Sequence, residues 1–167
     1  LGKSLEILHC VFFPDPCYDL PIFGADLVVN ANNISAGIVD LSPVGKHLPD
    51  SLISQMRSLK VSKFTEPGKL PEWAFIFSPY VAFIRPVDLL EEKSFLELID
   101  QYLSLLLSLL VKVQRDEINS LDAMCRLNYQ KRYCLNQKRN DKTRGILTKF
   151  FGSSWADEYI NKILFEC

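Results

Sequence analysis

Two ionisable residues stand where apolar ones would be expected. His9 lies within the run ILHCVFF and Asp26 within IFGADLVV. Burying an ionisable group in an apolar strand is costly unless it is paired. A histidine can hold or release a proton near neutral pH, and a carboxylate beside it can share that proton. On neighbouring strands the two would form a pair able to deliver protons to a bound substrate. The plain alternative is a histidine satisfied within the core. With His9 and His47 the only histidines, a histidine-rich metal site is excluded.

A second cluster is Asn140-Asp141-Lys142-Thr143-Arg144, at the expected start of a helix. Helix N-terminal amides with two cations make a seat for a carboxylate or a phosphate. Asn140 or Asp141 would also cap the helix, and the two readings are compatible. Around this cluster the charge is lopsided. Eight basic residues and one acid fall between Arg126 and Lys149, in a chain of net charge −1. Such a segment is either a solvated helix face or a surface for an anionic partner.

The elements that must position these groups follow from periodicity. Residues 4–13 alternate as a strand, with His9 on the face of Ile7 and Val11. Both faces are largely apolar, so the sheet should be covered on both sides. Residues 20–29 form a second strand, in which Gly24 permits a bulge or the close approach of another group. The cluster 30–33 is an asparagine turn leading into a third strand, 34–41, and the short link makes the pair antiparallel. Asp50 is expected to cap a short helix to about residue 59. Residues 75–85 read as a further strand. Asp88 caps a long helix whose expected buried stripe is Leu89, Leu96, Ile99, Leu103, Leu106, Leu110 and Val113. Helices over 118–137 and from Asp141 to a stop at Gly152 follow. A last helix opens at Ser154, with Asp157 completing a capping box and Trp155, Tyr159, Ile163 and Leu164 buried. Strands first and helices afterwards imply an α+β fold in a single domain, residues 1–167.

Composition narrows the classes. The chain has 167 residues, 48% hydrophobic and 23% charged, as expected of a folded protein with a real core. Its longest near-apolar run, 102–111, is too short to span a bilayer. Five cysteines without CxxC spacing indicate neither a disulfide framework nor a zinc site. No dinucleotide fingerprint, phosphate loop, nucleophile elbow or zinc-protease motif is present. A nucleic-acid role for the basic segment is disfavoured, because its cations are not interleaved with a stacking platform.

Five motifs, in order, carry a resemblance: LEILHCVFFPDPCYDLPIFGADLVV, ISAGIVDLSP, LPEWAFIFSPYVAFIRP, YCLNQKRNDKTRGIL and FGSSWADEYINKILF. Together they resemble the ferredoxin-dependent bilin reductases over nearly the whole chain. The resemblance implies an antiparallel sheet sandwiched between helices. It implies reduction of biliverdin IXα to phycocyanobilin by four electrons, delivered one at a time by reduced [2Fe-2S] ferredoxin. No bound metal, flavin or nicotinamide is implied. Asp26 matches the aspartate that protonates the bilin, and His9 matches its partner. His9 also points to the phycocyanobilin-forming branch, because members that make phycoerythrobilin or phytochromobilin typically carry asparagine there. Those products, or a bilin carrier without catalysis, are the alternatives. Ser35 and Lys142 match positions that hold the propionates, Asn140 a polar position near the pair, and Trp73 a position beside the bilin. Lys69 stands next to where the family has a propionate-binding arginine, as a point charge without the arginine fork. Lys131, Arg132, Lys138 and Arg139 would dock acidic ferredoxin. The resemblance further implies a monomer in the cyanobacterial cytoplasm or plastid stroma, binding neither nucleic acid nor membrane. It also implies an additional N-terminal segment, with a glutamate facing the far side of the bilin, ahead of residue 1.

Overall fold

Side-chain alternation and one tight turn build the sheet. The structure, a computed structural model, describes residues 5–166. The expected strand start at Ser4, and Cys167, lie outside the described residues. Strands β1 (Leu5–Phe12), β2 (Ile22–Asn30), β3 (Asn33–Ser42) and β4 (Ala82–Ile84) form an antiparallel sheet in the order β1-β2-β3-β4. The β2–β3 turn places Ala31 at φ 50° and Asn32 at φ 70°. Two successive left-handed residues match the strand twist, as tight hairpins require.

Helices cover the sheet on both sides. On one face Phe23, Ala25, Val39 and Leu41 pack against α1 (Asp50–Ser58) and α2 (Leu89–Leu110), through Leu52, Met56, Phe95 and Leu98. On the other, Ile22, Val44 and Ile76 meet Tyr133 of α3 (Leu121–Gln137), together with Ile160 and Phe165. The remaining elements are α4 (Asp141–Phe151), α5 (Ser153–Tyr159) and a π turn over Ile160–Leu164. The architecture is the expected α+β sandwich. No described helix is long and apolar enough to cross a membrane.

Several local expectations are corrected. Residues 75–85 do not form one strand. A 3₁₀ turn, Glu72–Ile76, and a turn at Ser78 precede the three-residue β4. The backbone there bends because the Ser78 N–H and hydroxyl both donate to the buried Asp40 carboxylate. The buried stripe of α2 is Phe95, Leu98, Tyr102 and Leu106, while Leu89, Leu96 and Leu110 are exposed. Leucines spread over more than one face of α2 do not say which side its partner will take. Asp50 is the first helical residue rather than the cap, which is Pro49. Asp88 caps α2 as expected, accepting from the Glu91 N–H at 2.8 Å. The capping box at Ser154 does not form, since Asp157 pairs instead with Arg144. Trp155 and Ile163 are exposed, and Ala156, Ile160 and Phe165 fill that part of the core. On β1, Ile7, Leu8 and Phe12 remain about half exposed, so the cover expected on both faces is incomplete at this strand.

Candidate active site

The pairing of β1 with β2 sets His9 directly opposite Asp26. Residues directly opposite on an antiparallel pair share a face and lie within side-chain reach. His9 Nδ1 is 2.5 Å from Asp26 Oδ1. The contact is close but off-line: no described donor reaches Oδ1 with hydrogen-bond geometry, and His9 Nε2 is likewise without a partner among the described residues. The Phe165 ring stands edge-on to the imidazole, centroids 5.7 Å apart. Burial pulls the His9 pKa down, but the Asp26 carboxylate against the ring outweighs it, so the imidazole is raised above its ordinary value. A raised histidine next to a carboxylate holds a proton in reserve near neutral pH.

Asp26 opens onto a cleft of ≈ 690 Å³. This lies within the range of about 300–1,000 Å³ typical of sites for small organic ligands. The floor is the sheet face carrying Val11, Gly24, Asp26, Val28, Ile38 and Asp40. One wall is the segment 69–73 with Phe77, and the other is the end of α3 and the start of α4. Lys69, Arg85, Arg139 and Lys142 bring cations to this largely apolar cleft. Anionic groups on an otherwise apolar ligand would find partners there.

The structure brings together Asp26, Lys69, Trp73, Asn140 and Lys142 as lining residues. Trp73 lies tilted against Phe77, 6.2 Å between centroids. Asn140 caps α4, its Oδ1 accepting from the Thr143 N–H at 3.3 Å, so cap and cleft position coincide. His9 does not line the cleft; it sits beside Asp26 on the next strand. Ser35 is not among the lining residues either. It is the extra residue of the β-bulge where the β2–β3 register shifts, it is exposed, and its hydroxyl donates to the Val28 carbonyl at 2.9 Å. Of the basic segment, Arg126 and Arg144 are engaged within the fold, Arg126 with Asp116 at 2.7 Å and Arg144 with Asp157. Lys131 and Arg132 are exposed on α3, where the Arg132 guanidinium lies 4.8 Å from the Phe75 ring centre. Arg139 belongs to the cleft itself. Among the described residues no cluster of three or more candidate metal ligands occurs.

Several lining residues escaped the sequence reading, Arg85 and three polar groups of the interior among them. Asp40 is fully buried on β3, opposite Gly24. It accepts from the Ser42 hydroxyl at 2.6 Å, the Ser78 N–H at 2.9 Å and the Ser78 hydroxyl at 2.5 Å. Burial still wins over these bonds and pushes its pKa up to about 6. The signal was the one that exposed Asp26, an acid inside an apolar strand (GIVDLS). Tyr133 and Gln137 sit one helical turn apart on α3, where an aromatic residue looks like ordinary core. Gly24 does serve a close approach: a Cβ placed on it would lie 3.4 Å from the Tyr133 hydroxyl.

Comparison with known proteins fits this geometry into a family. A family model described as ferredoxin-dependent bilin reductase matches residues 1–166. A phycocyanobilin:ferredoxin oxidoreductase of Prochlorococcus marinus (strain MIT 9313) is 51% identical over 166 residues, covering 99% of this chain and 63% of that protein. The enzyme of the same name from Synechococcus sp. (strain CC9605) is 46% identical, covering 99% of this chain and 68% of its own length. The chain thus spans about two-thirds of the length of these relatives. The crystal structure of phytochromobilin synthase from tomato in complex with biliverdin shares the fold, with a TM-score of 0.77 at 23% identity over 96% of this chain and 60% of that one. Matched by the family model over 166 residues and half identical to a curated relative, the chain belongs to the ferredoxin-dependent bilin reductase family.

Proposed function

We propose that the protein binds biliverdin IXα in the cleft and takes part in its reduction to phycocyanobilin, with reduced ferredoxin as the external one-electron donor. The observation that carries this reading is the His9–Asp26 pair, 2.5 Å apart, whose aspartate opens onto an apolar cleft with cations among its lining. Each of the two double-bond reductions consumes two electrons and two protons. Ferredoxin supplies the electrons singly, so protons must arrive in step to neutralise radical intermediates. Asp26 faces the ligand and delivers the proton. His9, behind it on β1, restores the proton and keeps the pair's charge balanced, so that the two titrate as a unit. Lys69 and Lys142 hold the propionates, Trp73 covers a ring face, and Asn140 offers a polar contact at the start of α4. Ser35 reaches a propionate only by giving up its bond to Val28. Lys131, Arg132 and Lys138 form the ferredoxin-facing surface, where association is electrostatically steered and weakens with salt.

The test is reduction of biliverdin by chemically reduced ferredoxin, followed by absorbance and by chromatography of the product. The wild type should form phycocyanobilin, and Asp26→Asn should bind biliverdin but stall. Reduction by Asp26→Asn at the wild-type rate would overturn the proton-delivery role. Binding without any ferredoxin-dependent reduction in the wild type would favour a carrier. A product running as phycoerythrobilin or phytochromobilin would move the protein to another branch of the family.

A further inference from the structure

The Tyr133 hydroxyl lies where a ligand on the cleft floor would meet it. Its Oη accepts a hydrogen bond from Gln137 Nε2 at 2.9 Å. That bond leaves the phenolic hydrogen to be placed elsewhere, and no acceptor for it occurs among the described residues. Gly24 has no side chain to fill the space beside Oη. The ring is fixed by edge-on contacts with Phe13 at 5.8 Å and Phe77 at 6.3 Å, so the hydroxyl cannot swing away. Tyr133 and Gln137 are both buried, and both line the cleft.

We propose that Tyr133, oriented by Gln137, is a ligand-binding hydrogen-bond donor that takes a terminal lactam carbonyl of the linear tetrapyrrole. This rests on the bilin reading of the cleft. The propionates of a linear tetrapyrrole project from its two central rings, and its lactam carbonyls lie on the terminal rings. With the propionates drawn to Lys69 and Lys142 at the cleft edge, the terminal rings are left to face the floor. A neutral phenol there donates without adding charge. It remains a phenol, because burial and then the nearby Asp26 and Asp40 carboxylates raise its pKa, against the bond from Gln137. Tyr133 therefore orients the bilin beside Asp26 and is not itself the proton source.

The experiment compares biliverdin bound to the wild type, Tyr133→Phe and Gln137→Leu, by absorbance titration and by the lactam C=O stretch in resonance Raman spectra. Losing one neutral hydrogen bond should weaken binding about 2- to 10-fold and move the carbonyl stretch to higher frequency. Gln137→Leu should shift the stretch in the same direction, and the double variant should bind no more weakly than Tyr133→Phe alone. A stretch unchanged in a folded Tyr133→Phe overturns the assignment. Should that variant fail to fold, an unchanged stretch in Gln137→Leu overturns it equally. A wild type that binds no biliverdin would overturn the bilin reading itself, and with it this inference. Wild-type binding with unmoved variants overturns the Tyr133 assignment alone.

Discussion

Asp40→Asn isolates the cost of one buried carboxylate. An ordinary aspartate titrates at 3.8, and Asp40 is pushed up to about 6 because burial outweighs the bonds from Ser42 and Ser78. That displacement corresponds to about 3 kcal/mol withheld from the folded state when the group is ionised. The sign follows from proton counts. Between 3.8 and about 6 the folded protein holds the proton more tightly than the unfolded chain, so this group's contribution rises as pH falls through that window. Asparagine removes the titration and can keep the network. With its oxygen in the place of Oδ2 it still accepts from the Ser42 hydroxyl and the Ser78 N–H, and its amide donates to Ser78 Oγ, which reverses its role. Urea unfolding, followed by the fluorescence of Trp73 and Trp155, gives the stability of both proteins from about pH 7 to about pH 4.5. Other carboxylates lose stability over that range, but they cancel in the difference. The wild type should gain about 2 kcal/mol on Asp40→Asn across it. A difference that stays flat with pH would refute the buried, strained carboxylate.

The remaining predictions concern the core, the pair and the charged face. Gly37→Ala would place a Cβ 2.2 Å from a ring carbon of the fully buried Phe95, which is held by Phe64; the overpacking should cost about 1–3 kcal/mol in urea denaturation. In Asp26→Asn the influences that raise His9 are gone and burial remains, so its imidazole should titrate below the ordinary 6.5 by NMR. In the wild type the stability supplied by this histidine is fully present below 6.5 and is lost as pH rises through its raised folded value, so Asp26→Asn should flatten that part of the profile. Charge reversal at Lys131 and Arg132 should slow ferredoxin association about 10-fold at low salt and much less at high salt, measured by stopped flow.

The fold was legible where one residue type forces one geometry. Asn32 in the β2–β3 turn and the alternation of Ile7, His9 and Val11 imply a hairpin with its neighbour and a histidine on a defined face. Asp88 at the start of α2 signals a cap, and it is one. Legibility fails where the partner decides. The α2 sequence spreads its leucines over more than one face, so more than one stripe could have been the buried one, and contact with the sheet selects Phe95, Leu98, Tyr102 and Leu106. Residues 75–85 have strand-like composition, but the long-range bonds from Ser78 to Asp40 bend them away from the sheet until Ala82. A local reading of Ser154 and Asp157 misses Arg144, thirteen residues before Asp157, which draws the acid off the helix start.

The site shows the same division and adds one consequence. His9 and Asp26 were visible because each violates the pattern of its strand, and Asp40 violates its strand in the same way. Tyr133 and Gln137 violate nothing and become functional candidates only through Gly24, more than a hundred residues earlier. The cations come from yet other elements, Lys69 before the 3₁₀ turn and Lys142 at the start of α4. Three polar groups on one sheet face are costly to place there: a carboxyl raised by burial at Asp40, and an Asp26 Oδ1 and a His9 Nε2 without a hydrogen-bond partner among the described residues. Stability alone does not favour such an arrangement. Asp26 and Asp40 line the floor of one cleft and His9 backs Asp26 from the next strand, the clustering of perturbed polar groups that marks a candidate site. An apolar replacement of Asp40 would leave the buried Ser42 hydroxyl and the Ser78 N–H and hydroxyl without their acceptor, so it should destabilise the protein by about 2 kcal/mol or more relative to Asp40→Asn, and urea unfolding of the two variants side by side checks this.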